Sequence, residues 1–144
     1  MVDSGSPVKW GIIGCGNIAT NAVVPAIGWS QMATVHAIAS RHKPRAEHLA
    51  KEFNAKQSFG SYDELLKSKK VEAVYIATPN HLHEEWIIKA AKAGKHILCE
   101  KSLTIDLKSM KKIHTAVAKA NVLLMDAFMY RHHPQWAVVR RVID

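Results

Sequence analysis

Short apolar runs alternating with longer stretches of helical spacing set the character of this chain. Apolar segments recur at Val8–Ile13, Thr34–Ser40, Ala73–Ala77, His96–Glu100 and Val122–Ala127. They are β-branched and nearly continuous, as expected of parallel strands buried on both faces. Between them the period changes to that of a helix. Pro44–Phe53 begins with proline at a first turn and stops at Asn54. Ser61-Tyr62-Asp63-Glu64 forms a capping box ahead of Leu65-Leu66. Leu82–Ala93 ends at Gly94, a left-handed cap. Asp106–Ala120 sets Leu107, Met110, Ile113 and Val117 at helical spacing, with lysines on the other face and Asn121 as its stop. A last helix runs from Gln135 into Val142. This alternation predicts an α/β fold with an open, doubly wound and mostly parallel sheet.

The first apolar run breaks into Gly14-Cys15-Gly16-Asn17-Ile18-Ala19, two glycines one residue apart with a small residue three positions on. A dinucleotide pyrophosphate needs this arrangement. Gly14 permits a tight strand-to-helix turn, and Gly16 lets bare backbone approach the phosphates. Ala19 lets helix and strand pack closely, while the N–H groups around Asn17 and Ile18 face the negative charge. Glycine pairs also close ordinary turns, so the pattern counts only because strands and helices alternate around it. Together they predict a Rossmann-type domain from residue 8 to 144, behind a disordered polar leader, Met1–Pro7. Pro25 is expected to kink or shorten the first helix.

The end of the second strand is where such a fold reads the adenosine ribose, and an Asp or Glu there favours NAD. This chain has Ser40-Arg41-His42-Lys43-Pro44-Arg45 instead, with no carboxylate and three cations. Ser40 offers a hydroxyl, while Arg41 and Arg45 offer guanidinium forks to a 2′-phosphate. The expected cofactor is therefore NADP, with NAD the weaker fit. Thr78, Pro79 and Asn80 follow the fourth strand, where open α/β sheets bind ligands. The short polar groups of Thr78 and Asn80 either meet the cofactor or cap the next helix.

Composition narrows the function classes. The 144 residues carry a net charge of +8, with 20 basic against 12 acidic side chains. Lys67, Lys69, Lys70, Lys89, Lys92, Lys108, Lys111 and Lys112 scatter over helix faces without interleaved aromatics. That reads as a solvated surface rather than a nucleic-acid footprint. No apolar run reaches the ~18 residues of a membrane span, and the leader lacks the basic start and apolar core of a secretion signal. Cys15 and Cys99 read as reduced thiols, and the expected location is the cytoplasm. The pairs His81/His83 and His132/His133 lack metal-ligand spacing and partners, so no metal site is expected.

Five motifs in order carry a resemblance. They are Gly14–Ala19, Ala39-Ser40-Arg41, Ala77–His83, Gly94–Lys101 and Met125–Arg131. From about Val8 to Asp144 the chain resembles the N-terminal domain of the glucose–fructose oxidoreductase, myo-inositol dehydrogenase and rhizopine-catabolism family. The resemblance implies a nicotinamide-dependent sugar or polyol oxidoreductase. It brings Thr78, Asn80 and His83 close to the ribose and nicotinamide, and adds Glu100, Lys101 and Arg131 to the cofactor site. In that family the lysine of a Glu-Lys-Pro motif positions the reacting hydroxyl and acts in or supports proton transfer; here that role falls to Lys101. Partial burial of the lysine would assist it.

Two departures follow. Position 102 is serine where the family has proline, commonly after a cis bond; the expected Lys101-Ser102 bond is trans. The family's second α/β domain, with its substrate pocket and Asp-x-x-x-His motif, is not in this sequence. The expectation is therefore a dinucleotide-binding domain with little or no turnover alone. The alternatives are a non-catalytic dinucleotide module, or a unit that self-associates through apolar surface around Trp136, Val138 and Val139.

Overall fold

Six strands pair side by side in the order β3-β2-β1-β4-β5-β6, every pair parallel, in the computed structural model, which describes residues 5–143. They are β1 (Val8–Ile13), β2 (Ala33–Ala39), β3 (Gln57–Phe59), β4 (Ala73–Ile76), β5 (His96–Cys99) and β6 (Leu124–Asp126). Five of the six are the expected apolar runs. The unexpected one, β3, is three residues with two polar side chains. It exists because Ala37–Ala39 of β2 offers it a parallel edge. Of the leader, Gly5–Pro7 are exposed and outside any strand or helix, and residues 1–4 lie outside the described range.

Alternate side chains leave each strand on opposite faces. Ile12, Ile38 and Tyr75 pack with Val24 of α1 (Val24–Trp29) and Leu49 of α2 (Lys43–Glu52). Ile13, Val74 and Ile76 pack on the other face against Leu65 of α3 (Tyr62–Lys67), Ile87 of α4 (His83–Lys92) and Ile113 of α5 (Leu107–Ala120). The chain winds outward from β1 in both directions, so the carboxyl ends of all strands share one edge. The winding reverses at the β1–β4 pair, which opens a crevice there.

The caps act as their residue types predict. Ser61 Oγ accepts from the Glu64 N–H at 3.2 Å, and Asp106 Oδ1 from the Ser109 N–H at 2.7 Å. Asn54, Gly94 and Asn121 end their helices with φ of 55°, 70° and 52°. Pro25 leaves a visible mark. Residues Ala19–Val23 form a wide turn in which the Val24 N–H donates to the Ala19 carbonyl, five residues back. Proline has no N–H, and its ring clashes with the carbonyl four back. A turn one residue wider just ahead of α1 shifts the pairing and absorbs that conflict.

The two faces are not covered equally. Beside α1 the sheet residues Tyr75, Leu98, Met125 and Ala127 floor an open apolar groove of about 460 Å³. The last helix, α6 (Pro134–Ile143), buries no side chain, and Trp136, Val138 and Val139 are exposed, as expected. Among the described residues no helix is long and apolar enough to cross a membrane. Nor is any group of three His, Cys, Asp or Glu placed to hold a metal ion.

Candidate dinucleotide site

The turn that leaves β1 is fixed by the protein itself at Gly14. Its φ is +96°, and a Cβ there would stand 2.8 Å from the Ala77 carbonyl oxygen at the end of β4. Both facts exclude a side chain. Gly16 differs. Its φ is not in the left-handed region, and the nearest protein atom to a built Cβ is the same carbonyl at 3.8 Å, an ordinary contact. The fold leaves the space over Gly16 open, which is what a phosphate approaching bare backbone requires. Ala19 is fully buried against the sheet, as a close helix–strand crossing demands. Thr20 donates its N–H to the Gly16 carbonyl at 3.1 Å; the N–H groups before it have no partner within the helix. Asn17 stands exposed among them, whereas the Ile18 side chain turns into the apolar groove.

The cations at the end of β2 converge on this turn. Arg45, in the first turn of α2, donates from Nη2 to the Cys15 carbonyl at 2.7 Å, which holds its guanidinium against the glycine loop. Arg41 is exposed beside the phenol of Tyr62, whose pKa burial raises and Arg41 lowers in part. Ser40 is buried, and its Oγ accepts from the His42 N–H at 3.1 Å while its hydroxyl lies beside the Cys15 thiol. No carboxylate stands at this strand end. Burial pushes the Cys15 thiol up, with Arg45 opposing, and burial pushes the Cys99 thiol up further. Neither thiol is poised as a thiolate nucleophile, and both are free.

The ends of β4, β5 and β6 are drier. Thr78 is buried and its Oγ1 has no hydrogen-bond partner. An orphaned hydroxyl beside the glycine turn suits a ligand that supplies the missing partner. Asn80 is exposed, and its side chain caps neither the short turn it opens (Asn80–Leu82) nor α4, so the capping alternative has no support. His83 corrects an expectation. It is fully buried, with Nε2 2.8 Å from the Thr78 carbonyl and Nδ1 2.8 Å from the Ser102 carbonyl. Both ring nitrogens are engaged with backbone, so the side chain does not reach a cofactor.

Glu100 is buried at the end of β5. Tyr75 donates its hydroxyl to Glu100 Oε1 at 2.6 Å, and the Lys101 N–H donates to Oε2 at 3.3 Å. Burial and then the neighbouring carboxylate push the Tyr75 phenol well above its ordinary range. Lys101 itself is exposed, not partly buried as expected. The Lys101-Ser102 bond is cis, not trans as expected. A local peptide preference favours trans for a bond before serine; in the fold, the Ser102 carbonyl faces His83 of α4. Arg131 does not join the glycine turn. It lines a separate open cleft with Tyr130, Trp136, Arg140 and Arg141.

Two residues were not singled out from the sequence. Tyr75 holds Glu100, and Asp126 ends β6 with its Oδ1 buried and unpartnered. A hydroxyl within an all-buried strand and a carboxylate closing an apolar one were the signals available.

Residues 8–128 match the oxidoreductase family with an NAD-binding Rossmann fold. An oxidoreductase of Rhizobium meliloti, ORF334, is 44% identical over 129 residues, which is 90% of this chain and 39% of that protein. The NADP(+)-dependent D-xylose 1-dehydrogenase 2 of Haloferax volcanii is 42% identical over 127 residues, 88% of this chain and 39% of its own length. Among solved structures, the 3-ketoreductase KijD10 of Actinomadura kijaniata, in complex with TDP-benzene and NADP, superposes with a TM-score of 0.90 at 38% identity. It covers 96% of this chain and 43% of its own. The chain thus spans about two-fifths of the length of these relatives. Parallel strands in the order 3-2-1-4-5-6, a glycine turn that only glycine can make at its first position, and this match over 121 residues agree: the chain belongs to the oxidoreductase family with an NAD-binding Rossmann fold.

Proposed function

We propose that this chain is the NADP(H)-binding domain of an oxidoreductase acting on a sugar, polyol or related hydroxyl compound. One observation carries the cofactor choice. The end of β2 presents Arg41 and Arg45 where a ribose-binding carboxylate would stand, and Arg45 is tied to the glycine loop through the Cys15 carbonyl. A 2′-phosphate accepts from guanidinium forks and from the Ser40 hydroxyl; an unphosphorylated ribose gains little from them. The relatives point the same way, since KijD10 binds NADP and the Haloferax enzyme is NADP(+)-dependent.

Each residue has a part. The backbone from Gly14 to Ile18 receives the pyrophosphate, helped by the helix N-terminus behind it. Arg41, Arg45 and Ser40 hold the 2′-phosphate, while Thr78 and Asn80 meet the ribose and nicotinamide half. When bound, the nicotinamide donates or accepts the hydride. Lys101, on the same edge, orients the substrate hydroxyl and supports its proton transfer, and Glu100 braces the loop that carries it. The chain matches about two-fifths of the length of its relatives, and by itself it is expected to bind dinucleotide with little or no turnover.

Replacing a charge-assisted bond is worth roughly 1.5–3 kcal/mol. Arg41→Asp is therefore expected to weaken NADPH binding by about tenfold to a hundredfold and NADH binding by less than about threefold. Equal losses for both would remove the NADP assignment.

A further inference from the structure

We infer that His83 is a positioning residue that clamps the Lys101 loop to the Thr78 loop. The observation is its geometry. His83 opens α4 on the sheet face that α5 also covers, and no part of its imidazole is exposed. Nε2 faces the carbonyl of Thr78, in the loop after β4, and Nδ1 faces the carbonyl of Ser102, in the loop after β5, each at 2.8 Å. Carbonyl oxygens only accept, so the ring is the donor in each bond, and holding both at once takes a hydrogen on both ring nitrogens.

These two loops have little else in common. β4 and β5 are hydrogen-bonded up to Ile76 and Cys99, and the Glu100 N–H donates to the Ile76 carbonyl. Beyond that point the ladder ends, and the His83 ring lies between the two loops. Ser102 adjoins Lys101, while Leu103 packs on the core beyond it. The exposed Lys101 side chain therefore projects from a short segment pinned at both ends, by Glu100 on one side and by the Ser102 carbonyl on the other. Thr78, at the far end of the clamp, carries the orphaned hydroxyl. One buried ring thus sets the spacing between the residue expected to meet the cofactor and the lysine expected to serve the substrate. This deepens the cofactor reading above and rests on it.

Two near-isosteric variants separate the two arms. Asparagine can place its amide near Nδ1 and glutamine near Nε2. His83→Asn keeps the Ser102 arm and loses the Thr78 arm; His83→Gln does the reverse. Amide hydrogen exchange of the full chain is expected to rise about tenfold over residues 101–104 in His83→Gln and over residues 77–80 in His83→Asn, with β1 and α5 unchanged in both. Affinity for NADPH should fall about fivefold in His83→Gln, while affinity for 2′,5′-ADP, which lacks the nicotinamide half, stays within about twofold.

Exchange that rises equally in both variants, or leaves residues 101–104 unchanged in His83→Gln, overturns the clamp and leaves His83 as core packing. An equal loss of NADPH and 2′,5′-ADP overturns it as well. Should the unsubstituted chain bind neither ligand, the cofactor reading fails, and the exchange pattern still decides the clamp.

Discussion

At the ends of β1 and β2 the arginines and the open glycine stand in water; at the ends of β4 and β5 Thr78, His83 and Glu100 are buried, and only Asn80 and Lys101 of the proposed site are exposed there. Arg41, Arg45, Gly16 and Asn17 are exposed, and one bond from Arg45 to the Cys15 carbonyl ties the end of β2 to the glycine loop. Thr78, His83 and Glu100 are buried and tied to backbone or to Tyr75, or left without a partner. The difference follows from what each half must do. Phosphates are met by charge and open backbone, which tolerate some freedom because the ligand supplies the order. On the proposed assignment, a nicotinamide and a reacting hydroxyl must be held to a fraction of an ångström, which the bracing of the β4 and β5 loops would serve.

The two glycines give the sharpest test of that division. Gly14→Ala forces a side chain into a left-handed backbone and against the Ala77 carbonyl. The combined strain and overpacking are expected to cost about 3 kcal/mol, a Tm loss of about 10 °C by calorimetry. An unchanged Tm would show that the turn is not fixed by the fold. Gly16→Ala meets only an ordinary contact, so Tm should stay within about 2 °C. Dinucleotide affinity should nevertheless fall about tenfold or more, because the methyl occupies phosphate space. If affinity survives while stability falls, the roles of the two glycines are reversed.

The smallest expected effect lies at the buried end. Burial, and then the charge of Glu100, raise the Asp126 carboxyl above its ordinary pKa of 3.8. Between that value and the raised one, the folded chain binds more protons than the unfolded chain, so stability falls as pH rises through the window. Asp126→Asn removes this dependence. Its Tm should exceed that of the parent at pH 7, and the gap should close well below pH 3.8. A gap independent of pH would mean that the carboxylate is not strained by its surroundings.

Much of the fold was legible because it is written in local terms. Apolar runs named five strands, and Ser61, Asp106, Gly94 and Asn121 marked helix ends by side-chain chemistry that acts over three or four residues. β3 was not legible, since three mixed residues become a strand only against the edge of β2. The site divides the same way. Gly14 and Ala19 follow from the turn they make and the cation cluster from its charge. The burial of His83, the cis bond before Ser102 and the grip of Tyr75 on Glu100 depend on residues 19 to 25 positions apart or on the packed loop, and no local pattern announces them. Arg131 carried a motif but stands at another cleft.

The account turns on the cations at the end of β2, and calorimetric titration of the unsubstituted chain with NADPH and NADH tests them together. It predicts one dinucleotide per chain, with NADPH held about tenfold or more tightly than NADH and the preference shrinking as salt screens the guanidinium groups. Equal affinities, or tighter binding of NADH, would contradict it.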